Sequence, residues 1–92
     1  MHVRFSDPAR ADLDAVKRHI QPQNALACDR VLSAILNAAY QLESFPFLGR
    51  PGRVENTREL SVPRTPFIIV YTLADDYHID IENIVHDRRR WP

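Results

Sequence analysis

Cysteine, glycine and lysine are all scarce in this chain. Cys28 is the only cysteine, so no internal disulfide can form, and a reducing cytoplasm is the simplest setting. The two glycines, Gly49 and Gly52, fall within four positions of each other. That marks one tightly shaped turn, built on glycine's freedom to take positive φ, and leaves no phosphate-cradling glycine loop. Lys17 is the single lysine against eleven arginines, a bias that genomic base composition alone can produce. The formal net charge is zero, which argues against a whole-body nucleic-acid clamp but leaves room for a local basic patch. No apolar run is long enough to span a bilayer, and Met1-His2-Val3-Arg4-Phe5 lacks the apolar segment of a signal peptide. Four scattered histidines and one cysteine give no metal-ligand spacing, so no metal or cofactor is expected. Repeats, low-complexity stretches and domain linkers are missing as well.

What remains is 92 residues, 45% hydrophobic, enough for one small domain over residues 1–92 with a modest core. His2-Val3-Arg4-Phe5 alternates as a short strand does. Ser6 and Asp7 before Pro8 form a helix start, with Leu13, Val16 and Ile20 on one face and Asp12, Asp14, Lys17 and Arg18 mostly on the other. Pro22 ends that helix near Ile20. Asn24 caps a second helix, whose apolar stripe runs through Val31 or Leu32, Ile35, Leu36, Ala39 and Leu42. Its many alanines permit close approach to a neighbour, and the short connection implies an antiparallel helical hairpin. Cys28, among alanines and polar residues, reads as a buried or half-buried small side chain.

Three strands follow the glycine turn. Thr57 to Val62 alternates. Phe67 to Leu73 is continuously apolar and β-branched, the mark of a central strand covered on both faces, and it places Tyr71 in the core. Ala74-Asp75-Asp76 is a hairpin turn without glycine. His78 to Glu82 alternates and continues through Ile84-Val85-His86, with a register shift near Asn83 that suggests a bulge. The order β-α-α-β-β-β predicts an α+β fold, a helical hairpin packed on one face of a small, mostly antiparallel sheet.

The last strand runs into His86-Asp87-Arg88-Arg89-Arg90-Trp91-Pro92. Clustered guanidiniums and an indole are costly at a chain end unless they meet something outside the domain. Arginine favours phosphates and carboxylates, indole stacks on flat partners, and imidazole moves a proton near neutral pH. His86 reads either as such a group or as a strand-end residue partly covered by the helices. Arg50, Arg53, Arg58 and Arg64 form a second basic stretch, either a cationic surface for acidic partners or solvated charges paired with Glu55 and Glu59.

Several segments together resemble the RelE/ParE family of bacterial toxins. They are Arg10-Ala11-Asp12-Leu13, Phe45-Pro46-x-Leu48-Gly49-Arg50-Pro51-Gly52, Arg58-Glu59-Leu60, Phe67-Ile68-Ile69-Val70-Tyr71 and Val85-His86-x-x-Arg89-x-Trp91. The resemblance spans essentially the whole chain. It implies the toxin of a type II toxin–antitoxin system, neutralised by a cognate antitoxin whose acidic, amphipathic segment wraps it into a hetero-oligomer. ParE-like members poison DNA gyrase by binding. RelE-like members cut messenger RNA on the ribosome without a metal. For a ParE-like inhibitor the contact residues would come from Arg50, Arg53, Arg58, His86, Arg88, Arg89, Arg90 and Trp91. For a ribonuclease His86 would be acid or base, with Arg58 and Arg88 or Arg89 holding the phosphate. A third expectation is a remnant that has lost its toxicity and survives as an antitoxin partner. RelE-like nucleases usually place an arginine inside the third strand, where Ile68 stands here, and tend to carry several lysines or a tyrosine near the cleft. Those departures favour the ParE-like expectation.

Overall fold

The structure, a computed structural model, describes residues 1–88. Seven elements follow one another: β1 (His2–Phe5), α1 (Asp7–Ile20), α2 (Ala25–Gln41), β2 (Arg50–Pro51), β3 (Arg58–Ser61), β4 (Phe67–Leu73) and β5 (His78–His86). The strands form one sheet in the order β1-β5-β4-β3-β2. β1 runs parallel to β5, and the remaining pairs are antiparallel. The α+β fold and the helical hairpin on a mostly antiparallel sheet are as the sequence predicts. The strand β2 is additional. It makes only two residue pairs and ends in a proline, too short to show any hydrophobic alternation.

The helix ends are set by their caps. Ser6 Oγ accepts from the Ala9 amide at 3.1 Å and itself donates to the Glu82 carbonyl at 2.8 Å, so one hydroxyl both starts α1 and ties it to β5. Asn24 Oδ1 accepts from the Ala27 amide at 3.0 Å to start α2. Between helices and sheet lies the core of Ala9, Ile35, Ala38, Ala39, Leu42, Val62, Ile69, Tyr71, Ile79, Ile81 and Ile84. Leu36, expected on the buried stripe, is exposed. It is set about 100° around the helix from Ile35, and Ala38 takes the inward place. Cys28 is buried. On the opposite face of the sheet Ile68, Val70 and Val85 form a second, smaller buried cluster, so β4 is covered on both faces.

The bulge near Asn83 is present. The β4–β5 register slips between the pairs Val70–Asn83 and Tyr71–Ile81. Bulging turns the Ile84 amide out of the ladder, and Asp12 of α1 receives it: its Oδ2 accepts from Ile84 N at 2.9 Å and from Asn83 Nδ2 at 3.1 Å. Asp12 therefore faces the sheet and not solvent, contrary to the helical-face reading. The β4–β5 turn needs no glycine because Asp75 Oδ1 accepts from the amides of Tyr77 and His78 at 2.7 and 2.8 Å, an Asx-type turn.

Neither glycine has positive φ; among the described residues Asn56 and Arg64 do. The glycines serve close approach instead. A Cβ on Gly49 would lie 2.8 Å from the Glu59 carbonyl oxygen and from the Tyr71 ring, and one on Gly52 would lie 2.1 Å from Thr57 Oγ1. The free edge of β1 is blunted by Glu43, whose Oε2 accepts from the Val3 amide at 2.9 Å.

Candidate functional site

Most of the candidate basic residues that the structure describes fall into two groups at different places on the sheet, with Arg64 apart from both. The first surrounds the loop between α2 and β2. Arg58 opens β3 and sits opposite Tyr71 of β4, so the two side chains share the helix-facing side. Arg58 Nη2 donates to the carbonyls of Phe47, at 3.2 Å, and Gly49. Its guanidinium lies over the Phe47 ring, 5.3 Å from the centroid. The Arg58 Nε is buried with no hydrogen-bond partner among the described residues. Tyr71, fully buried, donates its hydroxyl to the Pro46 carbonyl at 2.8 Å and accepts from the Gly49 amide at 2.9 Å. Arg58 thus turns its Nη2 donors to the chain's own backbone.

Arg50 and Arg53 converge on Glu59, a buried carboxylate. The Arg53 amide donates to Glu59 Oε2 at 2.9 Å. Arg50 Nη2 and Arg53 Nε stand 3.6 and 3.8 Å from Oε1, ion-pair distances too long for hydrogen bonds, and Oε1 has no hydrogen-bond partner among the described residues. Both guanidiniums keep substantial exposure beside that buried carboxylate. The pairing with Glu59 is present; Glu55 is exposed.

The second group lies at the far end of β5. His86 pairs with Phe67 across the β4–β5 ladder, and their rings meet edge-to-face at 5.6 Å. His86 Nδ1 accepts from the Arg88 amide at 3.1 Å and lies 3.2 Å from an Asp87 carboxylate oxygen. One nitrogen cannot do both at once: Nδ1 without a proton accepts from the Arg88 amide, whereas Nδ1–H donates to Asp87. His86 and Arg88 line a cleft of about 370 Å³ with Asp12, His19, Ile20 and Phe67, between α1 and the end of the sheet. Arg89, Arg90 and Trp91 lie outside the described residues.

These two groups do not meet. β4 separates β3 from β5, and Arg58 and His86 occupy opposite ends of the ladder. Strand geometry puts their Cα atoms roughly 16 Å apart, about 13 Å along the strands and about 10 Å across two spacings. The expected nearness of the tail to the Arg58 strand is corrected for His86, where the tail begins; Arg89 to Trp91 lie outside the described residues. Arg64 is elsewhere again, in a groove of about 630 Å³ lined by Asp29, Arg30, Ser33 and Asn37 of α2 and by Pro63 and Thr65. No group of three or more His, Cys, Asp or Glu is placed to hold a metal ion among the described residues. No helix among the described residues is long and apolar enough to cross a membrane.

Phe45, Phe47 and Leu48, legible in the sequence only as part of the stretch that carries the resemblance and not as contact residues, are 63%, 69% and 50% exposed, with Phe47 against Arg58. Their signal was an apolar run set directly before a glycine turn and outside any periodic element. His19 was passed over too, since nothing in helical spacing reveals that α1 lies along the end of β5.

A family model described as the ParE toxin of the type II toxin–antitoxin system parDE matches residues 3–91. A Sinorhizobium fredii (strain NBRC 101917 / NGR234) protein named "Putative toxin Y4kP" is 33% identical over 90 residues, covering 98% of this chain and 92% of its own. Among solved structures, the chromosomal ParDE toxin–antitoxin system from P. aeruginosa superposes with a TM-score of 0.82 at 25% identity, covering 94% of this chain and 95% of the other. The toxin–antitoxin complex RelBE2 from Mycobacterium tuberculosis does so with a TM-score of 0.65 at 27% identity, covering 91% and 94%.

Proposed function

The chain belongs to the ParE toxin family of type II toxin–antitoxin systems, and we propose that it acts by binding, as an inhibitor of DNA gyrase held in check by a cognate antitoxin. The observation that carries this reading is Ile68. At the position where RelE-like nucleases are expected to carry a strand arginine, this chain has a buried isoleucine packed with Val70 and Val85. An alkyl side chain cannot stabilise the charge that develops on a phosphate during RNA cleavage. Two further observations support the reading. Arg58 is committed to the Phe47 and Gly49 carbonyls. His86 stands at the opposite end of the ladder, which weighs against Arg58 and His86 sharing one phosphate-and-proton site.

The partner is an antitoxin with an acidic, amphipathic segment. Its carboxylates would meet the tail arginines, and its apolar side chains would enter the groove beside α2. The setting that follows for a gyrase poison is the cytoplasm.

A ribonuclease reading draws on one observation, the cleft that His86 and Arg88 share with His19 and Asp12. Inducing the chain alone and examining the arrested cells separates the two. Gyrase inhibition leaves plasmids relaxed with messages intact, whereas cleavage leaves supercoiling normal and messages cut. Normal growth on induction, with the protein present and folded, would contradict both.

A further inference from the structure

The loop from Phe45 to Leu48 combines two properties that seldom coincide. It exposes large apolar side chains: Phe45 is 63%, Phe47 69% and Leu48 50% accessible. Yet its backbone, with that of Gly49 after it, is held from beneath by four side-chain hydrogen bonds. Tyr71 donates to Pro46 O and accepts from Gly49 N, and Arg58 donates to the carbonyls of Phe47 and Gly49. Gly49 presses so closely on the Tyr71 ring and the β3 backbone that no Cβ fits there. A connecting loop with no role at its tip has no need of a buried tyrosine hydroxyl and a half-buried arginine to fix it. Ordering the loop in advance removes the entropy cost of ordering it on binding, which is how preorganised contacts gain affinity.

We propose that this loop is the contact through which the toxin engages its target protein, with Phe47 and Leu48 entering an apolar pocket on that protein rimmed by carboxylates. The proposal rests on the reading that the toxin acts by binding. Charge complementarity argues for the acidic rim. Arg50 follows Leu48 by two residues with its side chain 65% exposed, and Arg53 is 46% exposed. The acid that both arginines face, Glu59, is buried beneath them and Glu55 is the exposed acid of the same loop, so the face the partner meets is apolar at its centre with an excess of cationic over anionic side chains beside it. Few interface residues carry most of a binding energy, and they are large side chains near the centre with charged neighbours at the rim. Arg58, stacked on Phe47 and bonded below it, is a positioning residue for that ring.

The test compares growth arrest, as a function of the amount of toxin made, with inhibition of supercoiling by purified gyrase. The proteins are the wild type, Phe47→Ser with Leu48→Ser, Arg50→Glu, Tyr71→Phe, and Tyr77→Ser as a control that removes an equally exposed aromatic in the β4–β5 turn. Thermal unfolding confirms that each is folded. The double variant is expected to need at least about tenfold more protein for arrest, as loss of two central contacts implies. Arg50→Glu should be weakened as well. Tyr71→Phe, with every exposed side chain in place, should be weakened less, and Tyr77→Ser not at all. A folded double variant as toxic as the wild type overturns the proposal. If that variant is toxic but escapes an antitoxin that neutralises the wild type, the loop belongs to the antitoxin and the proposal is equally overturned. A harmless wild type overturns it too. The two readings fail separately: arrest lost in the double variant while wild type leaves gyrase untouched keeps the loop and removes gyrase as the target. Equal gyrase inhibition by wild type and double variant keeps gyrase and removes the loop.

Discussion

Arg58 and Tyr71 face each other across the β3–β4 ladder and reach the same four-residue stretch, Pro46 to Gly49, from below. One supplies a charged donor and the other a hydroxyl that both donates and accepts. Between them they satisfy backbone groups that a short irregular loop cannot pair internally.

Removing only the Tyr71 hydroxyl, with Tyr71→Phe, leaves the ring in the core but takes a partner from both Pro46 O and Gly49 N. Buried groups left without partners cost about 1–3 kcal/mol. Urea unfolding should show a loss in that range with an unchanged m-value. A midpoint equal to wild type would mean that water replaces the phenol without penalty.

Gly49→Ala tests close approach in the same place. Its Cβ would sit 2.8 Å from backbone and ring atoms that cannot both retreat. Overpacking of this kind costs about 1–3 kcal/mol, which for a domain of this size lowers Tm by roughly 4–8 °C per kcal/mol. Because Gly49 does not have positive φ, alanine brings no backbone strain, and any destabilisation reports the contact itself.

Asp12→Ala removes the acceptor for the Ile84 amide and the Asn83 side chain at the bulge. A loss of about 1–3 kcal/mol is expected. Hydrogen exchange at Ile84 should speed up more than at Ile79, which stands on the regular side of the bulge. Equal protection at the two amides would show that the bulge needs no partner.

The β4–β5 turn gives a pH prediction. The Tyr77 amide, the His78 ring and the His78 amide hold the Asp75 carboxyl below its ordinary value of 3.8. A lowered folded value means that the ionised form is favoured in the folded state. The associated stability is fully present above the unfolded value and is lost as pH falls through the folded one. Wild type should therefore lose more stability between pH 7 and pH 3 than Asp75→Asn, whose amide oxygen still accepts in the turn but does not titrate. Parallel stability profiles for the two proteins would contradict it.

Much of the fold was legible because its signals are local. Ser6 and Asn24 announce the helix starts, and β4 declares itself by an unbroken β-branched run. The break in alternation near Asn83 marks the bulge. The site was less legible because its contacts are long-range. Nothing in the spacing of Arg58 shows that its side chain turns back eleven residues to Phe47. The bulge's partner, Asp12, lies 72 residues from Ile84. Strand order decides whether Arg58 and His86 meet, and order cannot be read from alternation alone. The glycines were recognised as forming a special turn, but their reason is the space Tyr71 and Thr57 fill, a tertiary fact.

Inhibition by binding is tested by supercoiling of relaxed plasmid by purified gyrase with increasing amounts of the purified toxin. Supercoiling should be lost at toxin concentrations comparable to the enzyme's and restored when antitoxin is added. Unimpaired supercoiling in the presence of a folded protein that arrests growth would contradict it.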